Sequence, residues 1–154
     1  MTDLAIYRDI ATRTGGDIYI GVVGPVRTGK STLIKRFIQN MFLPSIESEY
    51  SRERAKDEMP QSASGRTVMT TEPKFVPEEA ANVEIDENTS FRMKMIDCVG
   101  YIVDGAIGHI ENGEPRMVMT PWSDNPLPFE QAAEMGTRKV ITDHSTIALC
   151  VTTD

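Results

Sequence analysis

Two rhythms of apolar residues run through the chain, one with the period of a helix and one with that of a strand. Leu4, Ile6, Tyr7, Ile10 and Ala11 fall near helical spacing and predict a short amphipathic helix over 4–12, broken at Thr14-Gly15-Gly16-Asp17. The run at 18–23 is short, apolar and β-branched, and predicts a buried strand. After a loop over 24–28, Leu33, Ile34, Phe37, Ile38 and Met41 recur on one helical face until Pro44 ends it.

Residues 45–66 are polar, with a solvated helical turn expected over 52–58, and the Thr-rich stretch 67–77 reads as an extended loop. Short strands are expected at 83–85 and 91–96, joined across Asp86-Glu87-Asn88. In the second, Phe91, Met93 and Met95 alternate with Arg92 and Lys94, the mark of a half-buried strand. The segment 100–128, rich in Gly, Pro and Asn and holding the single Trp122, reads as a long functional or mobile connection. A helix over 129–143, weakened by Gly136, and a strand over 146–151 complete the pattern. Alternating strands and helices imply an α/β fold, a parallel-rich sheet with helices on both faces, in one domain over 1–154. The last strand looks central rather than marginal, so the reading is of an N-terminal fragment whose fold further strands complete.

Composition narrows the function classes. The chain has 154 residues and a net charge of −7, which argues against nucleic-acid binding and against direct docking on an anionic bilayer. No stretch of about 18 apolar residues and no secretory leader is present, so a cytosolic location without a membrane span is expected. Cys98 and Cys150 both sit in apolar runs and read as small buried hydrophobes. Two His and two Cys without ligand spacing make zinc improbable.

The chemistry concentrates in Gly24-Pro25-Val26-Arg27-Thr28-Gly29-Lys30-Ser31, a full G-x-x-x-x-G-K-[ST] phosphate loop between a strand and a helix. Glycines let successive backbone N–H groups curl around phosphate oxygens at a positive helix N-terminus. Lys30 is expected to reach the β- and γ-phosphates, Ser31 to coordinate Mg²⁺, and Thr32 to add a hydroxyl contact. Asp97, at the tip of the strand before Cys98-Val99-Gly100, fits the metal-site acid of a D-x-x-G motif, with Gly100 offering its N–H to the γ-phosphate. Between the motifs, Thr70 or Thr71 is a candidate contact to Mg²⁺ and the γ-phosphate. Tyr101 stands where many GTPases carry a water-orienting Gln, which predicts slow turnover. Arg27 stands where potassium-activated GTPases carry an Asn, and its guanidinium is a candidate substitute for that cation.

Together, residues 14–32, Glu58-Met59-Pro60-Gln61-Ser62, the segment 69–77, Asp97-Cys98-Val99-Gly100-Tyr101 and 136–141 resemble the stage IV sporulation protein A family. The likeness runs from about Asp9 to Asp154. It implies the N-terminal nucleotide-binding part of a longer ATPase that forms the basement layer of the spore coat. It further implies a P-loop NTPase of the GTPase-like (TRAFAC) type, with a switch-I-like insertion over 45–77 and a switch-II-like loop over 100–128. ATP and Mg²⁺ are the implied ligands, with Lys30, Thr70, Thr71 and Asp97 in the catalytic roles. The implied output is ATP hydrolysis that drives homopolymerisation on the outer forespore surface, in the mother-cell cytoplasm. The implied partners are a small amphipathic membrane-associated peptide and other coat proteins. On the residues alone, a GTPase switch that does not polymerise is the main alternative, since no N-K-x-D segment marks the base. A small-molecule kinase and a pseudo-enzyme pinned by nucleotide also stay open.

Overall fold

The computed structural model describes residues 5, 8, 9, 12, 14–46, 48–60, 71–106 and 108–153, with Ile85 described by its backbone alone. Most of the helix expected over 4–12 lies outside the described residues. In chain order the elements are β1 (Ile18–Val23), α1 (Lys30–Phe37), α2 (Glu49–Asp57), β2 (Lys74–Asp86) and β3 (Thr89–Asp97). Four short strands follow, β4 (Ile110–Glu111), β5 (Glu114–Pro115), β6 (Met117–Thr120) and β7 (Ser123–Pro128), then α3 (Phe129–Lys139) and β8 (Ile147–Cys150). Helix α1 runs on through a π-helical turn, Ile38–Phe42, and a 3-10 turn, Leu43–Ser45, that carries Pro44. The proline ends the helix as its missing N–H requires.

The main sheet has the order β2-β3-β1-β8. Its β1 pairs in parallel with β3 (Ile20 opposite Met95) and with β8 (Gly21 opposite Ala148), and β2 runs antiparallel on β3. Successive side chains of a strand point to opposite faces, and both faces are used. On one, Val22, Met93 and Met95 pack with Ile34, Ile38 and Phe42, which recur every four residues along α1 and its extension. On the other, Val23, Ile96 and Cys98 pack with Val140, in the π-helical turn that continues α3. The expected layers, helices on both faces of a parallel-rich sheet, are therefore present. Each fully buried Ile or Phe contributes about 1.5–3 kcal/mol by leaving water, so the core fastens α1, and with it the loop that precedes α1.

Three elements differ from the sequence reading. The strand expected at 83–85 begins at Lys74 and contains Pro77. Pro77 is accommodated because β2 is an edge strand, with its register shifted between Val76 and Ala81. The segment 100–128 is not one long loop; residues 110–128 fold into two antiparallel hairpins, β4–β5 and β6–β7. Cys150 is exposed, whereas Cys98 is buried as expected. The cause is position: β8 has one neighbour, and all four of its residues are exposed.

Gly136, expected to weaken α3, has a packing reason. A Cβ there would lie 2.8 Å from the Thr71 carbonyl and 3.4 Å from the Trp122 ring. The segment before β2 and the β6–β7 turn both press on the helix at that point.

Candidate functional site

Because β1, β3 and β8 are parallel, their C-terminal ends open on one edge of the sheet, where α/β folds place ligands. The loop over 24–29 leaves β1 there. Gly24 turns with φ +139°, and a Cβ on it would come 2.1 Å from the Val151 carbonyl, just past β8. No side chain fits in that gap. At the far end of the loop, Gly29 caps α1 in a left-handed conformation, with φ 88°. No side chain caps this helix and no acidic residue lies in its first turn. Its first N–H donors have no intrahelical acceptor, and the dipole there favours an anion.

Lys30 is only 4% exposed. Its Nζ donates to the Pro25 carbonyl at 2.5 Å, and Thr28 Oγ1 donates to the same oxygen at 2.9 Å. Proline has no N–H to offer a phosphate, so Pro25 contributes through its carbonyl. Burial holds the Lys30 ammonium below the ordinary lysine value, opposed in part by the nearby Cys98 and Asp97. A buried ammonium resting on one carbonyl is well placed to take a stronger acceptor.

Ser31, one residue on, donates from Oγ to Asp97 Oδ2 at 2.8 Å. The other carboxylate oxygen, Oδ1, is buried with no partner. Burial raises the Asp97 carboxyl above the usual range, against the Ser31 hydrogen bond and the charges of Lys30 and Lys74. Lys74 stands opposite Asp97 in the β2–β3 register. An orphaned carboxylate oxygen beside a serine hydroxyl fits Mg²⁺, a hard cation that takes one or two protein oxygens and completes its shell with water and phosphate. The described residues hold no group of three or more His, Cys, Asp or Glu that would cage a metal without substrate.

Gly100 closes the site from above β3. Its φ is +91°, and a Cβ there would lie 2.2 Å from the Gly24 carbonyl and 2.6 Å from Lys30 Nζ. The next residue joins it to the loop: Tyr101 N–H donates to the Gly24 carbonyl at 3.3 Å, and Val26 N–H donates to the Tyr101 carbonyl at 2.9 Å. These two bonds make one isolated rung of parallel ladder between Pro25 and Tyr101. The missing Gln made Tyr101 conspicuous in the sequence, but its backbone role carried no local signal.

The structure thus brings Lys30, Ser31, Asp97 and Gly100 together with the loop. Thr70 lies outside the described residues. Thr71 is buried, its carbonyl against Gly136 of α3, and no described hydrogen bond joins it to Lys30, Ser31 or Asp97. Arg27 is exposed with φ 61°, a left-handed conformation that is costly for any residue carrying a Cβ. It makes no hydrogen bond or ion pair with another described residue. Thr32 is exposed on the first turn of α1.

Comparison with known proteins shows the family. The family model described as stage IV sporulation protein A, ATPase domain, matches residues 1–154. The chain is similar to stage IV sporulation protein A of Bacillus anthracis, 58% identical over 154 residues, covering 100% of this chain and 31% of the relative. It is similar to the protein of the same name from Clostridioides difficile (strain 630), 57% identical over 149 residues, 97% of this chain and 30% of the relative. The Bacillus subtilis (strain 168) protein of that name is 56% identical over 154 residues, covering 100% of this chain and 31% of the relative. The chain therefore spans less than a third of the length of the curated relatives it matches. No solved structure matches.

Proposed function

The chain belongs to the stage IV sporulation protein A family through its ATPase domain, and from that premise we propose that it binds ATP with Mg²⁺ and hydrolyses it slowly. The observation that carries the reading is the unpartnered, buried Asp97 Oδ1 beside Ser31 Oγ, next to the buried Lys30 ammonium. Three groups of complementary chemistry converge at an uncapped helix N-terminus, the arrangement a triphosphate and its metal need. The family description favours ATP over GTP.

In this reading the backbone N–H groups of the loop and of the first turn of α1 bind the phosphate oxygens. Lys30 exchanges the Pro25 carbonyl for the β- and γ-phosphates, and Thr32 adds a hydroxyl at the rim. Ser31 and Asp97 hold Mg²⁺, which when bound supplies positive charge against the oxygens that gain negative charge during transfer. Gly100 offers its N–H to the γ-phosphate. Thr70 and Thr71 are the γ-phosphate sensors, so Thr71 leaves its contact with Gly136 when the triphosphate enters. Arg27, without a partner among the described residues, turns its guanidinium to the phosphates. Tyr101 lacks the carboxamide with which a Gln accepts from and donates to the attacking water at once, hence the slow turnover.

The wider reading is a fold of the GTPase-like (TRAFAC) type whose hydrolysis drives self-assembly of the spore coat basement layer, with an amphipathic peptide and other coat proteins as partners. Its support is the name and description of the family together with a D-x-x-G segment poised over the phosphate loop. Phosphate release from ATP and from GTP by the longer protein, with light scattering followed in parallel, tests it. Release from ATP with rising scatter is expected, lost in Lys30→Ala and in Asp97→Ala. Release from GTP alone, or binding without release, overturns it.

A further inference from the structure

The strand pairing that places Asp97 also places a second cation beside it. Val76 and Met95 stand opposite one another in β2 and β3, and both belong to the core packed against α1. Side chains alternate along a strand, so Asp97, two residues on from Met95, points to that same face, where Ser31 of α1 meets it. Lys74, two residues before Val76 and opposite Asp97, points there as well. Side chains directly opposite in an antiparallel pair start about 4.5–5.5 Å apart at Cβ. The Lys74 charge accordingly acts on the Asp97 carboxyl, against the effect of burial.

Lys74 opens the edge strand β2 and is exposed. It makes no hydrogen bond or ion pair with another described residue. Its ammonium is a compact charge on a flexible stem, able to move without breaking a contact. Around Asp97 the protein thus sets two ammonium groups, Lys30 and Lys74, against one carboxylate. A free divalent cation meets net repulsion there, and a triphosphate brings the negative charge that reverses it.

Resting on the nucleotide-binding reading above, we propose that Lys74 is a positioning residue that reserves Asp97 for a divalent metal arriving on a triphosphate, its ammonium standing in for that metal in the nucleotide-free chain. Lys74 competes with Mg²⁺ for one carboxylate, so its charge sets how much Mg²⁺ the complex requires. The ammonium yields Asp97 to the metal and swings out to solvent, which its exposed position at the sheet edge permits.

Binding of a fluorescent N-methylanthraniloyl-ATP to the intact protein, with Mg²⁺ titrated at fixed nucleotide, tests this. Lys74→Arg is expected to keep the parent's half-saturating Mg²⁺ concentration. Lys74→Met is expected to lower it at least about threefold, and Lys74→Glu to lower it further, in order of charge. The differences should shrink at roughly 1 M KCl, where the Debye length falls to about 3 Å. A merely structural role predicts otherwise, because damage to the β2 edge raises the Mg²⁺ requirement and does not follow the sign of the charge. If Lys74→Met is poorly folded, Lys74→Gln, which also removes the charge, decides. Nucleotide binding by the parent with an unchanged or higher Mg²⁺ requirement in the uncharged and acidic variants overturns the role of Lys74 alone. Absence of binding in the parent and in every variant overturns the nucleotide reading and the role of Lys74 with it.

Discussion

Ser31 Oγ donates to one oxygen of Asp97 at 2.8 Å while the other oxygen is buried and unpartnered. The carboxylate is thus half-satisfied by the protein, and burial lifts its titration above the usual range. The folded chain keeps this proton at pH values where the unfolded chain has released it, so stability falls as pH rises through that window. In metal-free buffer, Asp97→Asn is expected to be at least as stable as the parent at pH 7. The difference should vanish as pH drops below the usual carboxylate value. Urea midpoints across pH check this, and a parent more stable than Asp97→Asn at pH 7 contradicts the assigned cause.

Gly24 and the Val151 carbonyl leave no room for a methyl group: a Cβ on Gly24 would sit 2.1 Å from that oxygen, with φ at +139°. Gly24→Ala is expected to destabilise the fold by about 1–3 kcal/mol from backbone strain, plus the displacement of the chain after β8. Thermal unfolding measures the loss. An unchanged melting temperature would show that the loop and the chain after β8 are not in contact.

The phosphate loop was legible because its signal is local: eight consecutive residues between an apolar strand and a helix. Asp97 was legible for the same reason, as an acid at the tip of an alternating strand. What the sequence hid depends on neighbours far along the chain. Pro77 argued against a strand until β2 proved to be an edge strand, and Cys150 read as buried because nothing local says that β8 has one neighbour. The hairpins over 110–128 escaped because their strands are short and mostly exposed, without an apolar rhythm. Thr71 was chosen for its type and place between motifs. Its burial under α3 follows from Gly136 and Trp122, more than 50 residues downstream.

The two cysteines should separate cleanly toward a thiol reagent. Cys98 is buried, its Sγ donating to the Val22 carbonyl at 3.4 Å, and burial pushes its thiol up; Cys150 is exposed. A native chain is expected to react at about one thiol, identified as Cys150 by peptide mass, with Cys98 following only on unfolding. Rapid modification of both would contradict the burial of Cys98.

Trp122, the single tryptophan, lies beside Gly136 and the Thr71 carbonyl, with Lys139 Nζ 5.6 Å from its ring centroid. If Thr71 leaves α3 to meet a γ-phosphate, the indole loses a neighbour. Its emission is expected to shift with a non-hydrolysable ATP analogue and Mg²⁺ but not with ADP. Equal responses to both nucleotides would remove Thr71 from the sensing role.

On nucleotide binding, the buried Lys30 ammonium trades the Pro25 carbonyl for a phosphate in the proposed mechanism. Calorimetric titration of Mg-ATP into the parent and into Lys30→Ala tests it most directly. One charge-assisted contact of this kind is worth about 1.5–3 kcal/mol, or roughly ten- to a hundredfold in affinity. Saturable one-to-one binding by the parent is expected, weakened by at least about tenfold in Lys30→Ala. A parent that does not bind, or a Lys30→Ala chain that binds as tightly, would contradict it.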